Sequence, residues 1–446
     1  MTEGKPFGLI LRFSLHMMLG SIFQQLYVVI DTAIVGQTLG LEALGAVGTC
    51  DWFIWLVTGI VTGLTQGFAV MISQEYGSGN REGLRRATGQ SVTLTAICGL
   101  IITAAAVALV PKFMVWVNVP LETQPLSMAY TRAIFWGIPV TAAYNIAAGI
   151  LRALGDGKTP LVAMIIAAIL NVVLDLFCIL VLQMGVAGAA VATVAAQFFA
   201  FAFCLAVLLK RKTIGVAKED FRLEITRTKN LFVLGVPVAF QNFIIAAGGM
   251  VLQSIVNAFG IVFMAGYTAT NKVCGVLEMA AVSYGSAMTT FAGQNLGAGK
   301  IQRIKKGVKV AVLTAVCTAL VIGGLMMLAG KPVLGIFIDS SQASADEAMQ
   351  FALRYLYIMC IFLVTLYMLH VYRATLIGLG KSVLGLLSGL AECAVRLFAA
   401  FTLTKIFGSD GIFFGEVLAW VGGMLLLVVV YYPYIHKLSK KMQQEA

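Results

Sequence analysis

Four carboxyl groups stand inside segments of the chain that are otherwise apolar, namely Asp31, Asp175, Glu278 and Glu392. An ionised carboxylate at the centre of a membrane-spanning helix costs roughly 2.5–3.5 kcal/mol on insertion scales. Each acid must therefore face water, bind a cation, pair with a base or carry a proton. Groups with that choice can exchange a proton for another cation, and this is the chemistry that the residue types indicate.

The first two acids lie in the most polar surroundings. Asp175 has Asn171 one helical turn before it, so the amide and the carboxyl share a helix face and can hydrogen-bond or jointly coordinate an ion. Asp31 follows Gln24 and Tyr27 in the first apolar segment. The sequence predicts a proton- or cation-exchanging site on Asp31 and Asp175. The sequence also allows a purely structural role, in which Asn171 and Asp175 only hold two helices together.

The second half carries a different set of ionisable residues. Glu392 and Arg396 are also spaced by four, and an acid beside a base favours a structural ion pair. Glu278 is either a second titrating site or extends its carboxylate to the surface. His370 is a pH-sensitive group or, more simply, a hydrogen-bonded packing histidine.

The elements that must position these residues are membrane-spanning helices. The chain is 60% hydrophobic and 11% charged, where a soluble domain is about a quarter charged. Its apolar stretches recur at about the 20-residue length that crosses hydrocarbon. We predict an all-α membrane protein of twelve helices, at 7–36, 46–71, 88–110, 126–152, 160–182, 186–209, 230–258, 266–291, 308–329, 350–375, 383–405 and 412–436.

One short sequence occurs twice, as QEYGSG at 74–79 and as QNLGAG at 294–299, an offset of 220 residues in a chain of 446. A duplicated, very apolar chain is typical of transporters, in which two related bundles move about one central site. We predict an N-terminal six-helix lobe at 1–209, a cytoplasmic linker at 210–229 and a C-terminal six-helix lobe at 230–446.

Basic residues fall mainly on one set of connections, and this bias predicts that both termini face the cytoplasm. The linker contributes the largest group of these cations: Lys210, Arg211, Lys212, Lys218, Arg222, Arg227 and Lys229. The net charge of +11 is therefore a topology signal and does not indicate a nucleic-acid partner.

No motif in the sequence supports catalysis. GKT at 157–159 and GKS at 380–382 lack the earlier glycine that a phosphate-binding loop needs. His16, His370 and His436 are scattered, and the eight cysteines occur singly, without a C-x-x-C pair. We therefore expect no enzyme, no cofactor and no required metal.

Several segments resemble the multidrug and toxic compound extrusion (MATE) family. Residues 23–32 (FQQLYVVIDT) are similar to its first helix, and residues 151–160 (LRALGDGKTP) are similar to the junction of its fourth and fifth helices. GVP at 235–237 and GQNLGAG at 293–299 resemble its second-half signatures. The resemblance covers essentially the whole chain, and the combination is specific.

This resemblance, and that to the DinF-like prokaryotic type in particular, implies a multidrug efflux antiporter of twelve helices in the plasma membrane. Such a protein exports organic, often cationic compounds in exchange for H⁺ or Na⁺ by alternating access. Small-molecule drugs and the lipid bilayer are then its partners. A monomer is expected, and no nucleic acid is involved.

The resemblance also implies residue roles. Four positions match the coupling site of that type, and Na⁺ would bind at the first three: Asp31, Asn171, Asp175 and Thr193. Three further residues would line the substrate cavity: Tyr27, Gln24 and Asn145. The secondary candidates for coupling are in the second half: Glu278, Glu392, Arg396 and His370.

Two positions depart from the family pattern. His16 stands where the first helix often has a proline, so proline-driven bending of that helix is not expected. The NorM-like branch has an acid in its seventh helix, where this chain offers Gln241, Asn242 and Ile245. A sodium site of that type in the second half is therefore disfavoured.

The main alternative is a flippase for lipid-linked saccharides with related architecture. Its cavity would need several cations for a pyrophosphate headgroup, and the candidates here are few: Arg396, with Arg12, Arg132, Lys272 and Arg354 at the margins. An intramembrane enzyme is a second alternative, which the absent zinc and nucleophile motifs disfavour.

Overall fold

The computed structural model describes residues 1–117, 119–211, 214–338 and 344–444, and within these ranges it contains helices and no strand. Lys212, one of the cations of the predicted linker, lies outside the described residues. The α-helices are α1 (Pro6–Gly48), α2 (Asp51–Ser78), α3 (Arg81–Trp116), α4 (Gln124–Trp136), α5 (Ile138–Ala153), α6 (Lys158–Leu176), α7 (Val186–Lys210), α8 (Ile225–Asn257), α9 (Ile261–Gly297), α10 (Ile301–Leu334), α11 (Ala345–Gly378), α12 (Ser382–Phe407) and α13 (Asp410–Gln444).

A long helix stands at eleven of the twelve predicted positions and the pair α4–α5 stands at the fourth, which confirms the predicted fold class. In the described chain, ten helices are long and apolar enough to cross a membrane, and the bent pair α4–α5 adds an eleventh span. The remaining long helix is α9, which is made more polar by residues such as Asn271, Lys272 and Glu278.

Two backbone features explain where predicted and observed helices differ. Helix α1 runs beyond the predicted end at residue 36, through a kink at Gly40, whose φ of +86° is readily adopted only by glycine. Helices α4 and α5 meet at an angle of 42°. Pro139, the second residue of α5, lacks an N–H and therefore cannot continue the hydrogen bonding of α4.

The chain forms two compact units. The N-terminal unit comprises 19–243, and the C-terminal unit comprises 1–18 together with 244–446. The division into lobes at 1–209 and 230–446 with a linker between them stays a prediction.

Close helix packing through glycine organises the N-terminal unit. A methyl group added at Gly63 would lie 2.5 Å from the Cα atom of Ala239, and one added at Gly67 would collide with the backbone of Gly235. Helices α2 and α8 therefore touch backbone to backbone along this stripe. Small residues allow such contact in membrane proteins, where hydrophobic burial does not drive one helix against another.

Aromatic stacking organises part of the C-terminal unit. The rings of Tyr267 and Tyr355 stack with their centroids 5.1 Å apart, and Tyr355 also stacks on Phe413 at 4.6 Å. The Tyr355 hydroxyl donates to Asn271 Oδ1 over 3.0 Å. These contacts hold α9, α11 and α13 together around a buried polar atom.

The duplicated sequences form equivalent turns. Gly79 follows α2 and Gly299 follows α9, with φ values of +73° and +71°. This left-handed conformation ends a helix at little cost when the residue is glycine. The repeat therefore conserves the geometry of two helix ends.

The described part of the linker packs on the N-terminal unit. Asp220 lies in a short 3₁₀ turn (Lys218–Phe221), accepts the Ala217 amide over 2.8 Å and pairs with Arg85 of α3 over 3.0 Å. Burial opposes ionisation of Asp220, but the Ala217 amide and the Arg85 guanidinium together hold its pKa below the ordinary value. This connection is therefore fixed by charge.

Candidate functional site

Four of the predicted site residues meet in the N-terminal unit, and we call them the carboxyl cluster: Asp31 of α1, Asn171 and Asp175 of α6, and Thr193 of α7. The Asn171 side-chain amide donates to Asp175 Oδ1 and to Thr193 Oγ1, each over 3.4 Å. Asn171 and Asp175 are fully buried, and Asp31 is 7% exposed. The amide therefore links a carboxyl on its own helix to a hydroxyl on the next.

Small residues bring these helices close enough for that contact. The face between α6 and α7 is built from buried alanines that include Ala163, Ala167 and Ala196. Just after Asp175 the chain widens into a π-helical turn (Phe177–Val181) before α7 begins. Such turns are rare and are frequently found at functional sites.

The carboxyl groups of Asp31 and Asp175 lie close enough to interact electrostatically. Two ionised carboxylates repel each other and can only accept hydrogen bonds, so a proton or another cation between them is favoured. No Lys, Arg or His forms an ion pair with either acid in the described ranges. A proton or another small cation must therefore balance their charge.

Three oxygen atoms in the carboxyl cluster are buried and without a hydrogen-bond partner: Asp31 Oδ1, Asn171 Oδ1 and Asp175 Oδ2. Oxygen donors of this kind suit H⁺ and hard cations such as Na⁺. Among the described residues, no group of three or more His, Cys, Asp or Glu could hold a metal ion. The three unpartnered atoms are all oxygens, and oxygen donors suit a hard monovalent cation better than a soft transition metal.

The predicted cavity residues are only partly brought together with this cluster. The Tyr27 hydroxyl interacts with Gln24 and with Gln197, and its ring packs on Met164. Asn145 instead donates to Thr62 Oγ1 over 3.2 Å and has no described bond to the carboxyl cluster. Sequence reasoning missed Gln197. Its position could have indicated this contact, because Gln197 lies on α7 four residues, or about one helical turn, after Thr193.

The first pair of secondary candidates in the C-terminal unit makes a direct contact. His370 Nε2 of α11 lies 3.4 Å from the Glu278 carboxylate of α9. Glu278 is half-exposed, whereas His370 is more buried. The partner of His370 is thus an acid on another helix, and its role as a packing or a pH-sensitive residue stays a prediction.

The predicted ion pair between Glu392 and Arg396 is replaced by two pairs between helices. Glu392 of α12 pairs with Arg373 of α11, which also donates to Ser388 Oγ over 3.1 Å. Arg396 pairs with Glu416 of α13 over 3.0 Å. The partners Arg373 and Glu416 were missed because they stand near the predicted ends of their spans. A guanidinium on a long side chain can reach a buried acid on the adjacent helix.

Comparison with known proteins identifies the family. The MatE family profile matches residues 17–177 and 237–402. A probable multidrug resistance protein of Bacillus subtilis, YpnP, is 30% identical over 303 residues, which cover 68% of each chain. An FAD transporter of Shewanella oneidensis is 24% identical over 307 residues, again 68% of each chain.

Solved structures show the same fold. A multidrug resistance MATE family transporter of the MOP superfamily, solved in an outward-facing conformation, matches with a TM-score of 0.90 at 23% identity. The match covers 98% of this chain and 97% of that one. The all-α architecture, the duplicated turns and the family profile over most of the sequence agree. The chain belongs to the MatE family, whose members are membrane transporters and not enzymes.

Proposed function

We propose that this transporter is a multidrug efflux antiporter, which exports organic and often cationic compounds in exchange for H⁺ or Na⁺ by alternating access. The observation that carries the proposal is the buried pair Asp31 and Asp175, which has no basic partner in the described chain. YpnP, a relative at 30% identity, is a probable multidrug resistance protein. That name supports efflux of drugs as the transport activity.

In this proposal the carboxyl cluster carries the coupling ion. With Asp31 and Asp175 ionised, the interior of the N-terminal unit is negative and favours a cationic drug. Binding of H⁺ or Na⁺ at the two carboxyls, with Asn171 and Thr193 completing the site, cancels that charge and weakens drug binding. Ion and drug then occupy the protein alternately, which is the requirement for exchange.

The charges exchanged determine the driving force. Moving one elementary charge across a membrane is worth about 2.3 kcal/mol per 100 mV, or roughly a 50-fold gradient. A monovalent drug exchanged for one proton moves no net charge and uses only the pH difference. Exchange of two coupling ions for one monovalent drug would move net charge, so the membrane potential would add to the driving force. The two neighbouring carboxyls provide a site for each of the two ions.

The placement in the membrane is part of the same proposal. The basic bias of the connections supports cytoplasmic termini, so drugs enter from the cytoplasm or the inner leaflet. Tyr27, Gln24 and Asn145 are proposed to line the substrate cavity of a monomer. An aromatic ring beside acids suits an organic cation, which a π-face and a carboxylate both attract.

A saccharide-lipid flippase is less well supported. Two of the five candidate cations for its pyrophosphate group, including the central one, are paired with acids. Arg396 pairs with Glu416, and Arg354 pairs with Asp410 over 3.2 Å. A phosphate-binding cavity needs guanidinium groups whose charge is not already balanced.

The test is transport by the purified protein in proteoliposomes with an imposed pH gradient or an imposed Na⁺ gradient. We expect export of ethidium, a cationic probe, with one of the two gradients, and none without a gradient. FAD serves as the control substrate because one relative is an FAD transporter. Movement of FAD without movement of ethidium would refute multidrug efflux, and ethidium export without any gradient would refute antiport.

A further inference from the structure

A cavity of about 590 Å³ opens at one end of the C-terminal unit, and none of its lining residues belongs to the carboxyl cluster. It lies where α10 begins, where α13 ends and where the chain enters α1. These are ends of membrane-spanning helices, so the cavity lies at a membrane surface. Its lining includes four cations and no acid: Lys5, Lys300, Arg303 and Lys306.

Within the described residues, no carboxylate neutralises the cations of this cavity, since none of the four forms an ion pair. Lys300 Nζ donates to the Thr2 carbonyl over 3.1 Å, and Arg303 Nη2 donates to the Glu3 carbonyl over 2.8 Å. These acceptors are neutral carbonyl groups, so they orient the side chains of Lys300 and Arg303 without balancing their positive charge.

The duplicated sequence provides an internal control for this charge. In the first copy, residues 80–86 contain three arginines and one glutamate, and Arg86 pairs with Glu82 over 2.6 Å. In the second copy, residues 300–306 contain three lysines and one arginine with no acid. At the offset of 220, Gln302 stands in place of Glu82. The second copy lacks the counter-charge that the first copy has.

The second copy also lacks the side-chain cap of the first. Asn80 caps α3 by accepting the Gly83 amide over 2.9 Å. The equivalent residue before α10 is Lys300, whose side chain makes no capping bond. The amides of Ile301 and Arg303 donate instead to the carbonyls of Gly299 and Lys300. The start of α10 therefore favours an anion through the partial positive charge of the helix end.

Ser439 of α13 supplies a buried polar group in the lining. It is 6% exposed, and its Oγ accepts the Gln302 amide over 3.3 Å. A hydroxyl both accepts and donates, and no described acceptor takes the Ser439 hydrogen. That hydrogen is available to a ligand oxygen in the cavity.

We propose that this cavity binds a phosphate-bearing anion, and that the phosphate belongs to the headgroup of an anionic phospholipid. Lys300, Arg303 and Lys306 supply the positive charge, and the Ser439 hydroxyl supplies a hydrogen bond. Gln302 stands where an acid would balance part of that charge. Basic pockets between membrane helices recognise lipid headgroups in this way. The site is independent of drug export and of the carboxyl cluster.

The test compares phosphatidylglycerol, phosphatidylcholine and inorganic phosphate on the full protein in neutral detergent. Native mass spectrometry counts bound lipid, and a shift of the thermal-unfolding midpoint reports binding of phosphate. We expect phosphatidylglycerol to bind more tightly than phosphatidylcholine. Binding of inorganic phosphate with the same dependence on Lys306 would also support the site and would assign the source to free phosphate. Equal binding of the two lipids, with no response to phosphate, would overturn the proposal.

Three variants locate the site. Lys306→Gln removes one cation, and Gln302→Glu restores the acid of the first copy. Each should weaken phosphatidylglycerol binding about fivefold, since a basic residue near an anionic surface contributes about 1 kcal/mol. Arg86→Gln is the matched control in the first copy and should leave binding unchanged. Equal losses in Arg86→Gln and Lys306→Gln, or no loss in Gln302→Glu, would contradict the assignment.

Discussion

The two units treat charge inside their membrane-spanning helices in opposite ways. In the N-terminal unit, Asp31 and Asp175 face each other with no base beside them in the described chain. In the C-terminal unit, each of three acids has a basic partner on another helix: Glu278 with His370, Glu392 with Arg373 and Glu416 with Arg396. Helices at equivalent positions of the sequence repeat thus differ in whether their acids have a basic partner.

This difference indicates which unit exchanges ions. Removing one partner of a buried ion pair costs about 3–5 kcal/mol, because a charge is left without compensation. Such a pair fixes helices and does not release its charge easily. The carboxyl cluster has no protein counter-charge among the described residues, so a counter-ion from solution would balance it. We therefore propose that the N-terminal unit carries the coupling ion.

The largest effect on stability is expected from Arg373→Met. The change leaves Glu392 buried and unpaired, so the free energy of unfolding in mixed micelles should fall by about 3–5 kcal/mol. The double variant with Glu392→Met as well is the control. It replaces the pair by apolar side chains and should recover most of the loss. Equal losses in the single and double variants would mean that packing, and not charge, holds these helices.

The carboxyl cluster should respond in the opposite direction. Asp175→Asn removes a buried carboxylate oxygen that has no partner, so stability should be unchanged or rise by about 1–3 kcal/mol. Glu392→Gln is the matched control and should destabilise, because it leaves Arg373 without its counter-charge. Both changes are measured by unfolding at neutral pH. A large loss in Asp175→Asn would show that its carboxylate is structural.

Helix positions followed from the sequence because hydrophobic length is a strong signal. The meeting of Asn171 with Asp175 was also predictable, since both lie on one face of one helix. The contacts of Asp175 with Asp31 and of Asn171 with Thr193 depend on how α1, α6 and α7 pack, which spacing alone does not encode. The family resemblance supplied those positions.

The ion pairs of the C-terminal unit show the opposite case. Spacing favoured a bond between Glu392 and Arg396, but each residue has a partner on a neighbouring helix. Spacing within one helix describes only local geometry. Long side chains in a bundle have several acids within reach, and tertiary packing selects among them. The sequence alone could therefore identify the charged residues without assigning their pairs.

The smallest effect concerns Asp220, a paired acid outside the membrane in the N-terminal unit. Its pKa is held below the ordinary value of about 3.9. The pairing is thus complete above that pH, and its contribution is lost as the pH falls through the lowered value. Arg85 is 41% exposed, so the contribution is at most about 1 kcal/mol.

Asp220→Asn should therefore flatten the decline of stability below about pH 4. Thermal unfolding over an acid pH series measures the difference from the unmodified protein. Glu82→Gln, which breaks the exposed pair with Arg86, is the control and should change the curve less. Identical curves for Asp220→Asn and the unmodified protein would mean that the linker is not held by this charge.

Gradient-driven export tests the central comparison most directly. Asp31→Asn, Asp175→Asn and the matched variants Glu278→Gln and Glu392→Gln are reconstituted in proteoliposomes at equal amounts of folded protein. Ethidium export is then measured with the effective pH or Na⁺ gradient. Export by the two aspartate variants should fall by at least about tenfold, which corresponds to about 1.4 kcal/mol. The glutamate variants should retain the gradient response. Full gradient-driven export by both aspartate variants, or its loss in the glutamate variants alone, would contradict coupling in the N-terminal unit.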